Sequence, residues 1–200
     1  DPAAMGGFIR QSLDQHKLAG RRVVVDMPRD QAILNTLPLP SGAEQELPAA
    51  VHFQIVKELP FALDEAVVDF VVTGAADAEG MVDVLVAAVR NEVLEYYQAV
   101  MAAAGLSLER VGLRPYANLE AMSAMWSEVR SGRALLIDVG PVLTEIDVVR
   151  EGKLLFSRAA SVPVSLTPED VIMTGSPPSA VGELVLEVAR SVEAYRVTDP

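Results

Sequence analysis

The 200-residue sequence contains no cysteine. That excludes disulfide staples, thiolate metal sites and a cysteine nucleophile, and it fits a reducing compartment. Histidine is nearly absent too, with only His16 and His52. Imidazole catalysis and zinc ligation therefore have little to work with. No apolar run approaches the roughly 20 residues that cross a bilayer, and no charged-then-apolar leader opens the chain. Positive charge is scarce: the formal net charge is −12 with a pI near 4.5. Such a surface repels phosphate backbones and argues against nucleic-acid binding.

Half of the residues are apolar and 22% are charged. This composition supports a globular core and one or two domains. The opening "DPAAMGGFIRQSLDQHKLAG" has no initiator Met and begins inside an expected helix, so the chain reads as an excised fragment. Phe8, Ile9, Leu13 and Leu18 keep helical spacing up to Gly20. "RRVVVDMP" reads as a buried strand, and "AILNTLPLP" as a second extended segment whose prolines end the ladder. Leu47, Val51 and Ile55 recur every four residues on an expected amphipathic helix that stops before Pro60.

Two apolar strands follow, "AVVDFVVTG" and "MVDVLVAAV". The clearest helix is "NEVLEYYQAVMAAAGL", with Asn91 as cap, Gly105 as stop and Val93, Leu94, Tyr97, Val100 and Met101 on one face. A short strand and a helix through Leu119, Met122, Met125 and Trp126 come next, the apolar stripe being read as core. From Ala134 the pattern is three strands, with Glu151-Gly152 as a tight turn between the last two. Residues 161–180 read as an irregular Pro- and Ser-rich loop, and Leu184, Val188, Val192 and Tyr195 mark a closing helix. The sum is mixed α/β, without repeats.

The order and spacing of "RRVVVDMPRDQAILNTLPLP", "KELPFALDEAVVDFVVTG", "VDVLVAAVRNEVLEYYQAVMAAAGL", "VGLRPYANLEAM" and "LLIDVGPVLTEIDVVREGKLLFSR" resemble the type IV pilus assembly protein PilM, or competence protein A, family. These are actin-like relatives of FtsA, and the likeness covers roughly residues 10–158. It implies an actin-like (ribonuclease H-like) ATPase fold, here incomplete, with an FtsA/PilM-type inserted α+β subdomain. The expected divisions are residues 1–30 with 107–130 for the first half, 31–106 for the insertion, and 131–200 for a truncated second half.

The resemblance further implies a cytoplasmic adaptor, peripheral to the inner membrane, that binds the cytoplasmic tail of a PilN-like membrane protein without inserting into the bilayer itself. A homo-oligomer is compatible with this role. The tail is expected in a groove between the first half and the insertion, near Leu34, Leu37, Val51, Ile55 and Arg114. An acidic chain favours a tail carrying Lys or Arg. A related type II secretion adaptor would do the same job in another machine.

Many members bind ATP, and that gives the alternative: an ATP-binding or ATP-hydrolysing protein whose site is completed by missing segments. Only one phosphate loop of such a site falls in this chain. Asp138, Gly140 and Thr144 match it, but Pro141 has no N–H to donate, and Val142 and Leu143 are bulky where small or polar residues are usual. The stretch reads as the remnant of a phosphate loop that now serves as a hairpin turn. No cofactor is expected for this chain, ATP and Mg belonging to a full-length form, and catalysis is little or none. Asp64, Glu65 and Asp69 read as a solvated acidic face, His52 as solvent-facing, and no metal-ligand spacing is present.

Overall fold

Helix α1 (Pro2–Gln15) starts at an Asp1 cap, whose carboxylate accepts the Ala3 N–H at 2.9 Å. Pro2 stands in the first turn, where its missing N–H leaves no helical bond unmade. The computed structural model describes residues 1–18, 20–42, 45–162 and 179–198, and the chain divides into two units, Asp1–Arg114 and Pro115–Pro200.

In the first unit α1 lies against α3 (Asn91–Ala103). Gly6 allows the approach: a Cβ there would sit 2.5 Å from the Ala103 Cβ and 2.7 Å from the Val100 carbonyl oxygen. Arg10 then donates to the Ala104 and Ala103 carbonyls at 3.1 and 2.9 Å, satisfying the orphan acceptors at the end of α3. Two parallel strands, β1 (Arg22–Met27) and β5 (Ser107–Leu113), make a small sheet in which Met27 pairs with Leu113.

Between them the chain builds an antiparallel sheet in the order β2 (Ile33–Pro40), β4 (Met81–Arg90), β3 (Ala66–Val72). Helix α2 (Leu47–Ile55) covers one face of it. The side chains facing α2 are Leu37 and Leu39 from β2 and Val82, Val84 and Val86 from β4, against Leu47, Val51 and Ile55. Val51, Ile55, Val84 and Val86 have no exposed surface, and each contributes about 1.5–3 kcal/mol by leaving water. The β2 ladder runs through both prolines, pairing Pro38 with Asp83 and Pro40 with Met81, where the sequence suggests it should end. The reason is position: β2 is an edge strand, and a proline whose nitrogen faces outward removes no ladder bond.

The second unit holds most of α4 (Arg114–Met125), then α5 (Glu128–Ser131), the antiparallel sheet β6 (Arg133–Val139), β7 (Thr144–Arg150), β8 (Lys153–Ala160), and helix α6 (Ser179–Thr198). Within this unit α5 packs on β6 and β7. Asn118 of α4 also bonds to Asp138 of β6. In central β7, Thr144, Glu145, Ile146 and Asp147 are all fully buried. Glu151 and Gly152 take φ of 52° and 73°, the paired positive values of a two-residue hairpin turn. Helix α6 is tied to β8 by Arg158, 3.1 Å from Glu187, and by the Phe156–Tyr195 ring pair. Met125 and Trp126 are 66% and 51% exposed and are not core, since α4 ends beside them. Most of the expected 161–180 loop, residues 163–178, lies outside the described residues.

Candidate functional site

Arg114 ends the first unit directly after β5. Its charge acts on Tyr97 of α3, whose hydroxyl donates to Gln31 Oε1 at 2.9 Å. Gln31 lies in the single 3-10 turn Arg29–Gln31 that leads from β1 to β2. Burial raises the Tyr97 hydroxyl above its ordinary value, while the bond to Gln31 and the Arg114 charge pull it down. This corner therefore collects a phenol, an amide and a guanidinium where the small sheet joins the rest of its unit. Leu34 stands three residues beyond Gln31 on β2.

Strand alternation separates the partner-site residues expected from the sequence. Leu37, Val51 and Ile55 lie in the closed core between the small sheet and α2, at 5%, 0% and 0% exposure, and offer no surface to a peptide. Leu34 is half-buried on the opposite face. There it sits in register with Ala87 of β4, which is itself opposite Asp69 of β3. Val67 and Val71 flank that row on β3 and are 51% and 44% exposed, and Asp83 stands further along the same face on β4. The pattern in "AVVDFVV" holds two apolar faces, so the sequence shows a strand without revealing which of its valines face solvent.

Both edges of this sheet resist an added strand. Pro38 and Pro40 have no N–H on the β2 side. On the β3 side the Phe70 N–H is already bonded to the Asp69 carboxylate at 2.8 Å. The available surface is the face bearing Leu34, Val67 and Val71.

The hairpin of Asp138, Gly140 and Thr144 joins β6 to β7. Asp138 pairs with Glu145 and Val139 with Thr144, so the Asp138 and Thr144 side chains project from opposite faces. Asp138 Oδ2 accepts from Asn118 Nδ2 at 3.2 Å. The Thr144 hydroxyl is completely buried, with no hydrogen-bond partner among the described residues. The Gly140 N–H, which a phosphate would need, donates to the Leu143 carbonyl at 3.0 Å, and a Cβ at Gly140 would meet that oxygen at 2.7 Å. With Pro141 lacking an N–H, these residues do not fit a phosphate group.

The remaining candidates are dispersed. Asp64, Glu65 and Asp69 are exposed, as are His16 and His52. Among the described residues no cluster of His, Asp and Glu could hold a metal ion, and no helix is long and apolar enough to cross a membrane.

The architecture is that of an actin-like α/β protein carrying a small inserted sheet. The family model described as type IV pilus assembly protein PilM matches residues 1–165, and the chain belongs to that family. Among solved structures it is similar to a chain of a PilM–PilN type IV pilus biogenesis complex, with 26% identity and a TM-score of 0.81 over 98% of this chain. A second likeness, to the cytoplasmic domain of EpsL, an inner membrane component of the type II secretion system of Vibrio cholerae, has 15% identity and a TM-score of 0.57 over 78% of this chain. It concerns the fold alone. The chain spans 65% and 57% of these two relatives.

Proposed function

We propose that this chain is the actin-like part of a cytoplasmic adaptor in type IV pilus assembly, held at the inner membrane by the cytoplasmic tail of a PilN-like protein. Its role is to hold a partner, with no chemistry of its own. One observation carries the placement of the tail. The small sheet has two blunted edges and one half-open apolar face, and that face carries Leu34, close in sequence to the Gln31–Tyr97–Arg114 corner. An extended tail laid on Leu34, Val67 and Val71 would bury aliphatic side chains, and Asp69 and Asp83 would attract a Lys or Arg on it.

The test is calorimetric titration of the full-length protein with a peptide of the partner's cytoplasmic tail. Val67→Glu and Leu34→Glu should each weaken binding by about ten-fold or more, roughly 1.4 kcal/mol. The solvent-facing control His52→Glu should leave it unchanged. Equal affinity in all three variants would remove the tail from this face. No binding by the folded parent protein would remove the adaptor reading itself.

A further inference from the structure

The outward side of α2 carries a second, narrower apolar stripe. Leu47, Val51 and Ile55 face the sheet, while Ala49, Phe53 and Val56 follow one another at helical spacing on the opposite side. Phe53 is 73% exposed, the most exposed aromatic side chain among the described residues, and Val56 is 50% exposed. The two ends of the stripe carry opposite charges. Glu46, the N-cap, is exposed at the start. Lys57 is exposed at the end, its Nζ 4.9 Å from the centre of the Phe53 ring. Glu58, next in sequence, falls off the stripe at about 100° per residue.

An apolar stripe with an acid at one end and a base at the other is complementary to itself. Turned end for end, a second copy of α2 brings each Glu46 level with the other copy's Lys57. In that register Phe53 comes level with position 50 of the other copy, so a large ring meets the small side chains of Ala49 and Ala50. Both ends close at once, as a two-fold contact requires. A partner segment of one charge sign would satisfy one end and be repelled by the other.

We infer that α2 is a contact through which two copies of this chain associate, antiparallel, with Phe53 against Ala49 and Ala50 in the centre and Glu46 against Lys57 at both ends. The nine residues of α2 span only about 14 Å at 1.5 Å per residue. One such helix pair falls well short of the roughly 1,600 Å² of a standard stable interface, so the dimer is weak and forms where copies are held close together. The net charge of −12 on each copy opposes it as well. The inference does not depend on tail binding, because α2 lies on the side of the sheet away from Leu34, Val67 and Val71.

The test is sedimentation equilibrium of the whole protein up to about 1 mM, in about 0.15 M salt, which screens the net charge beyond about 8 Å. The mean mass should rise with concentration toward that of two chains. Phe53→Glu should weaken association by at least about ten-fold. Phe8→Glu, at an exposed aromatic of α1, should match the parent. Glu46→Lys and Lys57→Glu should each weaken association several-fold, because each sets like charges together at both ends. Their equimolar mixture should associate as well as the parent, since the mixed pair regains both contacts. All four side chains are exposed, and matched unfolding midpoints confirm that folding is preserved. A parent that stays monomeric at about 1 mM overturns the proposal. So does parent-like association of Phe53→Glu, an equal loss in Phe8→Glu, or a mixture no stronger than its separate variants. Calorimetry of Phe53→Glu with the tail peptide should match the parent, which separates this contact from the adaptor reading, and a loss of tail binding there would assign α2 to the tail instead.

Discussion

The Tyr97 hydroxyl bonds to Gln31 Oε1 across 66 residues of sequence and so fastens α3 to the turn between β1 and β2. Burial raises the Tyr97 hydroxyl above its ordinary value of 10.0, favouring the neutral form in the folded state. Tyr97 therefore contributes fully to stability below that value, and the contribution is lost as pH rises through the higher folded value. Tyr97→Phe should cost about 0.5–1.5 kcal/mol at neutral pH, the usual net value of such a bond. The variant should also lose less stability than the parent between neutral and strongly alkaline pH. Urea unfolding across that range measures both, and parallel alkaline losses would show that Tyr97 titrates as it does in the unfolded chain.

Gly6 and Gly7 are adjacent in α1 and should respond in opposite directions to alanine. At Gly6 the new methyl meets Ala103, the Val100 carbonyl and the Ala104 nitrogen within 2.8 Å, so α1 must move off α3. Overpacking of this kind costs about 1–3 kcal/mol. At Gly7 nothing lies within 4 Å of the added carbon. Helix propensity then acts alone, and Gly7→Ala should gain about 0.5–1 kcal/mol. Thermal or urea unfolding of the two variants reads the sign directly, and a loss at both would mean that α1 tolerates no change on either side.

The two faces of the small sheet supply a second contrast. Ile55 is completely buried against β2 and β4, so Ile55→Ala should cost about 2–5 kcal/mol in unfolding free energy. Leu34 projects from the other face and is half-buried. Leu34→Ala should cost less than Ile55→Ala while weakening tail binding more. Reversal of that order would place the tail on the α2 side.

Much of this fold is legible in the sequence because its elements are local. The helices at Asn91–Ala103 and Ser179–Thr198, the strands around Val25, Val84 and Ile146, and the Glu151-Gly152 turn each follow from periodicity or turn chemistry within a few residues. What could not be read depends on which neighbour covers which face. Val51 and Ile55 mark an amphipathic helix correctly, but the spacing is the same whether their stripe meets a sheet of the same chain or a foreign peptide. Pro38 and Pro40 look like terminators, and only strand order shows them on an edge. Trp126 has the spacing of a core residue, yet the helix ends at Met125. Arg133 and Arg150 lie 17 positions apart and become a pair only through the β6–β7 register.

Thr144 separates a working phosphate loop from a structural hairpin. Its hydroxyl is buried on β7 without a partner among the described residues. A buried, unpaired hydroxyl costs about 1–3 kcal/mol of desolvation, and valine has nearly the same shape. Thr144→Val should therefore leave stability unchanged or raise it by about 1 kcal/mol, with no loss of tail binding. A hydroxyl that serves a phosphate gives the opposite result, in which full-length protein binds ATP with Mg²⁺ and the variant loses that affinity. Titrating both proteins with ATP and comparing their unfolding midpoints decides between the two, because only a closed hairpin predicts a valine that is tolerated or better and a nucleotide response that does not depend on residue 144.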